Sequence, residues 1–194
     1  MNLKVIRLAG FFGMVAPFFG FAMVALSIIF SPWFSFTRNA LSDLGAEGLG
    51  SVIFNSGLPM AGAISMMFST GLFEMAEKSL TGMVGAALHL AASLFLVGIG
   101  VANINVEPYH LYVSVGFFVS MPLASAVVGL FNYRNRMRFY ALLGWGTTVL
   151  AAGVWLLPWS SAALPEALAA LFFSVWQILL GYWMYTRPDE KLVE

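Results

Sequence analysis

Cysteine is absent from the 194 residues. That excludes disulfides, thiolate metal sites and cysteine nucleophiles, and leaves the redox compartment undetermined. Charge is nearly as scarce: Asp, Glu, Lys and Arg make up 9% of the chain, where a soluble domain carries roughly 25%. Nine basic and nine acidic residues cancel, so net charge points to no nucleic-acid partner. Only two histidines are present. What fills the chain instead is apolar, with 60% hydrophobic residues and a mean hydropathy of +0.87. A globule of this length has too little interior to hide that much apolar surface from water. The composition is that of an integral membrane protein.

A helix rising ~1.5 Å per residue needs about 20 apolar residues to cross a ~30 Å hydrocarbon core. Six stretches qualify: Leu8–Phe30, Ser51–Phe73, Leu80–Ala102, His110–Phe131, Arg138–Leu157 and Ala163–Tyr185. Barrel strands would be about 10 residues long and strictly alternating, which these are not. The first run exceeds the roughly 7–15 residues of a signal h-region and lacks a small-x-small cleavage site, so it reads as a retained span. The fold expected is one all-α domain over residues 1–194, a six-helix transmembrane bundle.

Eight basic residues (Lys4, Arg7, Lys78, Arg134, Arg136, Arg138, Arg187 and Lys191) fall on one side of these spans, and Arg38 alone on the other. By the positive-inside rule both termini are cytoplasmic and the Arg38 side faces outward. The localisation expected is the cell membrane, multi-pass. The halves share no residue pattern that would mark an inverted transporter repeat.

Small and polar residues recur every three to four positions on several spans. The series are Gly10, Gly13, Pro17, Gly20 and Ser27 on the first, Gly82, Gly85, His89, Ser93, Gly100 and Asn103 on the third, and Glu166, Ala170, Phe173, Gln177 and Gly181 on the sixth. Such stripes let helix backbones approach and should face the bundle interior. An ionisable group inside the membrane is costly and usually has a reason. His89 either bonds to a neighbour such as Ser65, Ser69 or Gln177, or serves proton transfer or ligand binding. Straight helices would set it roughly 20 Å from His110 in depth, against a Zn–N bond of ~2.0 Å, so the two share a metal only if the 103–109 connection plunges inward. No metal ligands and no identifiable cofactor follow from these residues.

The second, fourth and sixth spans all begin on the outer side, marked by Ser51 and Asn55, by Glu107-Pro108-Tyr109-His110, and by Leu164-Pro165-Glu166. Acids in a first turn offset the helix dipole. Alternatively, Asp43, Glu47, Glu107 and Glu166 converge in part with His110 into a pocket for a cation or an acid–base pair. Before the second span, Trp33, Phe34 and Phe36 read as an interfacial aromatic belt. The segment Thr37–Gly45 then reads as a short interfacial helix, capped by Thr37 or Asn39 and ended by Gly45. Lying flat as a lid, it would offer Asn39, Ser42 and Asp43. Gly45–Gly50 follows no strand and is a turn, not a phosphate loop.

The stretches Asn39-Ala40-Leu41-Ser42-Asp43-Leu44-Gly45, Phe54-Asn55-Ser56-Gly57-Leu58, Val97-Gly98-Ile99-Gly100-Val101, Pro108-Tyr109-His110 and Leu164-Pro165-Glu166-Ala167-Leu168 carry a resemblance. The chain resembles an uncharacterised family of small prokaryotic six-helix membrane proteins, the domain of unknown function 998, from about Asn39 to Gly181. The resemblance implies the six-helix fold and an interest in Asn39, Ser42, Asp43, Asn55, His110 and Glu166; it implies no activity. A more distant similarity to membrane hydrolases of the alkaline ceramidase type rests on Ser42, Asp43 and the two histidines. The seventh helix and closely spaced histidine pair of those enzymes are missing here.

Three functions fit this pattern. The first is a membrane protein with a polar pocket opening to the outer leaflet, binding or processing a lipid or small amphiphile. Arg38, Asn39, Ser42, Asn55 and His89 would contact the ligand. As an enzyme, it would be a lipid-directed hydrolase or transferase in which His110 works with Asp43 or Glu166 as acid and base. The second is a small transporter or proton-coupled carrier with His89 and Gln177 at mid-membrane. The third is a non-catalytic scaffold subunit packing through its glycine seams. The partners expected are membrane lipids, with self-association left open.

Overall fold

In the computed structural model, which describes residues 2–188, six long helices follow the chain order. They are α1 (Leu3–Ile29), α2 (Gly48–Met75), α3 (Leu80–Val101), α4 (Tyr109–Arg134), α5 (Arg138–Gly153) and α6 (Ala163–Thr186). All six are long and apolar enough to cross a membrane, α5 by continuing through a 3-10 turn, Val154–Leu156. The protein is a multi-pass membrane protein. Three helices, α1, α2 and α4, run a few residues past the apolar runs that announce them. Asn2 explains the early start of α1, because its Oδ1 accepts the Lys4 N–H at 3.1 Å and supplies a side-chain cap. Hydropathy marks only the part in hydrocarbon, whereas the backbone ladder continues into the polar interface.

Each helix packs on its neighbours in the chain, and α6 closes the ring against α1. Close approach at that closure rests on two glycines. A methyl group on Gly10 would lie 2.5 Å from the Gly181 carbonyl oxygen, and one on Gly181 would lie 2.8 Å from that of Gly10. Apolar burial drives little association in lipid, so small residues that admit backbone contact take over. The start of α1, the end of α6 and the α2–α3 and α4–α5 turns gather at one end of the bundle, together with Lys4, Arg7, Lys78, Arg134, Arg136, Arg138 and Arg187. Lys191 lies outside the described residues. Arg38 stands at the opposite end, called the lid end below.

Two apolar clusters fill the ring. Toward the termini, Ile6, Phe68, Leu72, Trp176, Leu180 and Met184 pack together. Toward the lid, Leu44, Phe54, Leu58, Ile99, Phe117 and Phe173 do so. The lid segment itself departs from the expected helix over Thr37–Gly45. Only Leu41–Gly45 is helical, as one 3-10 turn. The cause is local: Asn39 Oδ1 accepts the Ser35 N–H at 3.0 Å, which fixes a turn before the helix can start. Asn and Asp side chains bonding to nearby backbone compete with helix in this way.

Candidate functional site: a lidded cavity with a polar floor

The lid is braced internally and held from four places around it. Asp43 Oδ2 accepts the Ala40 N–H at 2.9 Å and Asn39 Nδ2 at 3.1 Å, which closes the 3-10 turn on itself. From α6, Glu166 Oε2 accepts the Leu41 N–H at 2.7 Å, and the Ala163 N–H donates to the Asn39 carbonyl at 3.1 Å. From α2, Asn55 Nδ2 donates to the Gly45 carbonyl at 2.9 Å. Asn105, between α3 and α4, donates to the Ala46 carbonyl at 2.9 Å, and Ser161, before α6, donates to that of Phe36 at 2.6 Å. Leu44 is fully buried beneath. Bonds of this kind contribute about 1 kcal/mol each, so the set fixes the segment firmly over the ring.

Under the lid lies a cavity of about 340 Å³. Its walls are apolar, among them Phe21, Val24, Leu58, Phe117 and Phe173, and come from every helix except α5. Ser42 and Glu166 line its lid end; Ser65 and Gln177 line the other. Glu166 and Gln177 stand eleven residues apart on α6, so the cavity descends ~16 Å, about half of the hydrocarbon thickness.

The floor is a closed hydrogen-bond network, and its start is Pro17. Proline has no N–H, so the Gly13 carbonyl one turn back loses its helical partner. Gln177 Nε2 donates to that carbonyl at 3.3 Å. The Gln177 Oε1 therefore faces the other way, where it accepts from His89 Nε2 at 3.1 Å and from Ser65 Oγ at 3.4 Å. An amide oxygen only accepts, so the His89 proton sits on Nε2, and Nδ1 accepts from the Ser69 hydroxyl at 2.8 Å. Ser93 completes the set, its hydroxyl shared between Ser65 Oγ at 3.1 Å and the His89 carbonyl at 3.0 Å. The His89 ring is packed edge-on against Phe68, with centroids 5.1 Å apart.

The other expected residues divide. Asn39, Asp43, Asn55 and Glu166 meet at the lid. His110 does not join them: its Nδ1 donates to the Ala102 carbonyl at 2.7 Å and its Nε2 accepts from the Ser114 hydroxyl at 3.3 Å. The buried ring thus ties the start of α4 to the end of α3, and touches the cavity only through Ser114. Arg38 is exposed. His89 lies under the floor, bonded to two of the three partners named for it from the sequence. Among the described residues, no three His, Asp or Glu side chains gather as a metal-ligating group. Sequence reasoning missed Ser114, although its spacing of four from His110 puts both on one helix face. It also missed Asn105 and Ser161, whose signal was weak: single polar residues in short connections at the lid end.

A family model described as protein of unknown function (DUF998) matches residues 14–183, a stretch that contains the lid, the cavity and its floor. No curated protein and no solved structure matches the chain.

Proposed function

The chain belongs to the family described as protein of unknown function (DUF998), and we propose that its lid-end cavity binds a membrane lipid or small amphiphile drawn sideways from the adjacent leaflet. The observation that carries this reading is the cavity and the helix that fails to seal it. Between Ala16 and Ser27, α1 has no buried residue, yet Pro17, Gly20, Phe21, Val24 and Ala25 line the cavity. In that stretch α1 leans on α2, with Ser27 Oγ donating to the Gly50 carbonyl at 2.8 Å. Its tight contact with α6 is at the other end, at Gly10 and Gly181. The lid is bonded shut above, so the half-exposed seam between the lid-end halves of α1 and α6 is the way in.

The lining supports occupancy. The cavity of about 340 Å³ is walled almost wholly by apolar side chains, a surface that hydrocarbon satisfies and water does not. The volume also lies within the ~300–1,000 Å³ typical of ligand pockets. The charge asymmetry between the two ends supports the outer leaflet of the cell membrane as the source.

Binding is favoured over transport because the cavity stops at Gln177; beyond it Phe68, Trp176, Leu180 and Met184 are fully buried. It is favoured over hydrolysis because the Ser42 hydroxyl has no base hydrogen-bonded to it among the described residues, and both His110 ring nitrogens are engaged. The test is Ala170→Trp, which fills the cavity from α6. Native mass spectrometry of protein released from nanodiscs should show a bound lipid on the wild type and none on the variant, with helicity and monodispersity retained. The same adduct on both would overturn the reading.

A further inference from the structure

The polar groups at the two ends of the cavity are not equivalent, and the difference selects the head group of the occupant. At the floor, Gln177 Oε1 already accepts from His89 and Ser65, and Ser65 Oγ accepts from Ser93. Little capacity is left there, so the floor suits the end of a hydrocarbon chain. At the lid the reverse holds. Glu166 commits one carboxylate oxygen to the Leu41 N–H; the other accepts nothing from the described residues. The Ser42 hydroxyl makes no hydrogen bond among them. Ser114 spends its proton on His110 and turns only lone pairs to the cavity. Asp43 adds a second carboxylate close by, and Arg38, the one Lys or Arg at this end among the described residues, is exposed.

Apart from the Ser42 hydroxyl, which can donate or accept, the lid end is therefore a set of acceptors under a negative bias. A phosphate or carboxylate head would bring more acceptors and like charge into a partly desolvated space. A head that donates hydrogen bonds fits, and a cationic one fits best. Size limits the tail. The ~16 Å descent from Glu166 to Gln177 matches one extended chain of about a dozen carbons.

Resting on the binding function proposed above, we infer that the cavity is specific for a single-chain amphiphile with a cationic, hydrogen-bond-donating head, held at Glu166 and Ser42 with its tail toward Gln177. The probes are four twelve-carbon compounds: dodecylammonium, dodecanol, dodecanoate and dodecyl phosphate. Each is titrated against the protein in zwitterionic nanodiscs, with affinity read from the ligand-dependent rise in Tm. Dodecylammonium should bind at least tenfold more tightly than dodecanoate or dodecyl phosphate, with dodecanol between. Glu166→Gln should remove the preference for the cation, bringing dodecylammonium to within about twofold of dodecanol on that variant, and Ala170→Trp should abolish binding of all four. Equal affinities, tighter binding of either anion, or a cation preference that survives Glu166→Gln would overturn the head-group assignment and leave the cavity reading intact. Failure of all four to bind the wild type would overturn both.

Discussion

Gln177 on α6 donates to the Gly13 carbonyl on α1 across 3.3 Å, an acceptor that is free only because Pro17 cannot supply the helical N–H. That one bond sets the orientation of the amide, and through it the tautomer of His89 and the closed floor of the cavity. It also lies where α1 and α6 begin to part. Below it the glycine contact holds them together; above it α1 turns its face to the cavity.

The first expectation concerns this bond. Gln177→Leu removes three hydrogen bonds and should destabilise the protein by about 2–4 kcal/mol, measured by reversible unfolding in mixed micelles. Pro17→Ala restores an N–H one turn after Gly13. In that background the same substitution should cost about 1 kcal/mol less, and a double-mutant cycle reads the coupling directly. Strict additivity would show that Gly13 is not the shared partner.

Glycine positions should separate by what a methyl would strike. Gly10→Ala drives a methyl group against the Gly181 carbonyl, which is backbone and cannot swing aside; a loss of about 1–3 kcal/mol is expected. Gly20→Ala meets only the Ala61 methyl at 3.4 Å, ordinary contact, and should be neutral or slightly stabilising. Thermal unfolding of the two variants side by side checks the contrast.

The lid should respond to the loss of an acceptor more than to the loss of a charge. Glu166→Gln keeps an oxygen for the Leu41 N–H, whereas Glu166→Ala leaves that donor unpartnered. Amide hydrogen exchange across Leu41–Gly45 should therefore quicken in the alanine variant by about tenfold, the equivalent of ~1.4 kcal/mol, and change little in the glutamine variant. Asn55→Ala, which releases the Gly45 carbonyl, should act like the alanine variant. Equal exchange in all three would remove Glu166 and Asn55 from the clamp.

The absence of cysteine makes orientation simple to measure. Arg38→Cys and Lys78→Cys place single thiols at opposite ends of the bundle. A membrane-impermeant maleimide applied to intact cells should label the first and spare the second until the cells are lysed. The opposite pattern would reverse the leaflet assigned to the cavity.

Much of the architecture was legible in the residues because the bilayer leaves few options. A chain with 9% charged residues and six apolar runs of about 20 must cross as helices, since lipid satisfies no backbone N–H or C=O. Depth along each helix was legible as well, which is why Asn39, Asp43, Asn55 and Glu166 could be placed at one level, and why His89 could be matched to Ser69 and Gln177. The lid was foreseen as a longer helix because apolar and polar spacing does not show that Asn39 turns back to the Ser35 N–H.

What the linear chain determined, then, is the number of spans, the charged end and the level of each polar group, all functions of position along a helix axis. Rotation about that axis and the choice of neighbour belong to the tertiary structure. His110 and Glu166 share a level, but α4 turns the imidazole to the Ala102 carbonyl while α6 turns the carboxylate to the lid. The splay of α1 from α6 that opens the cavity is of the same kind: it results from which surfaces meet, glycine on glycine at one end and Pro17 beside Gln177 midway, and no single helix carries it.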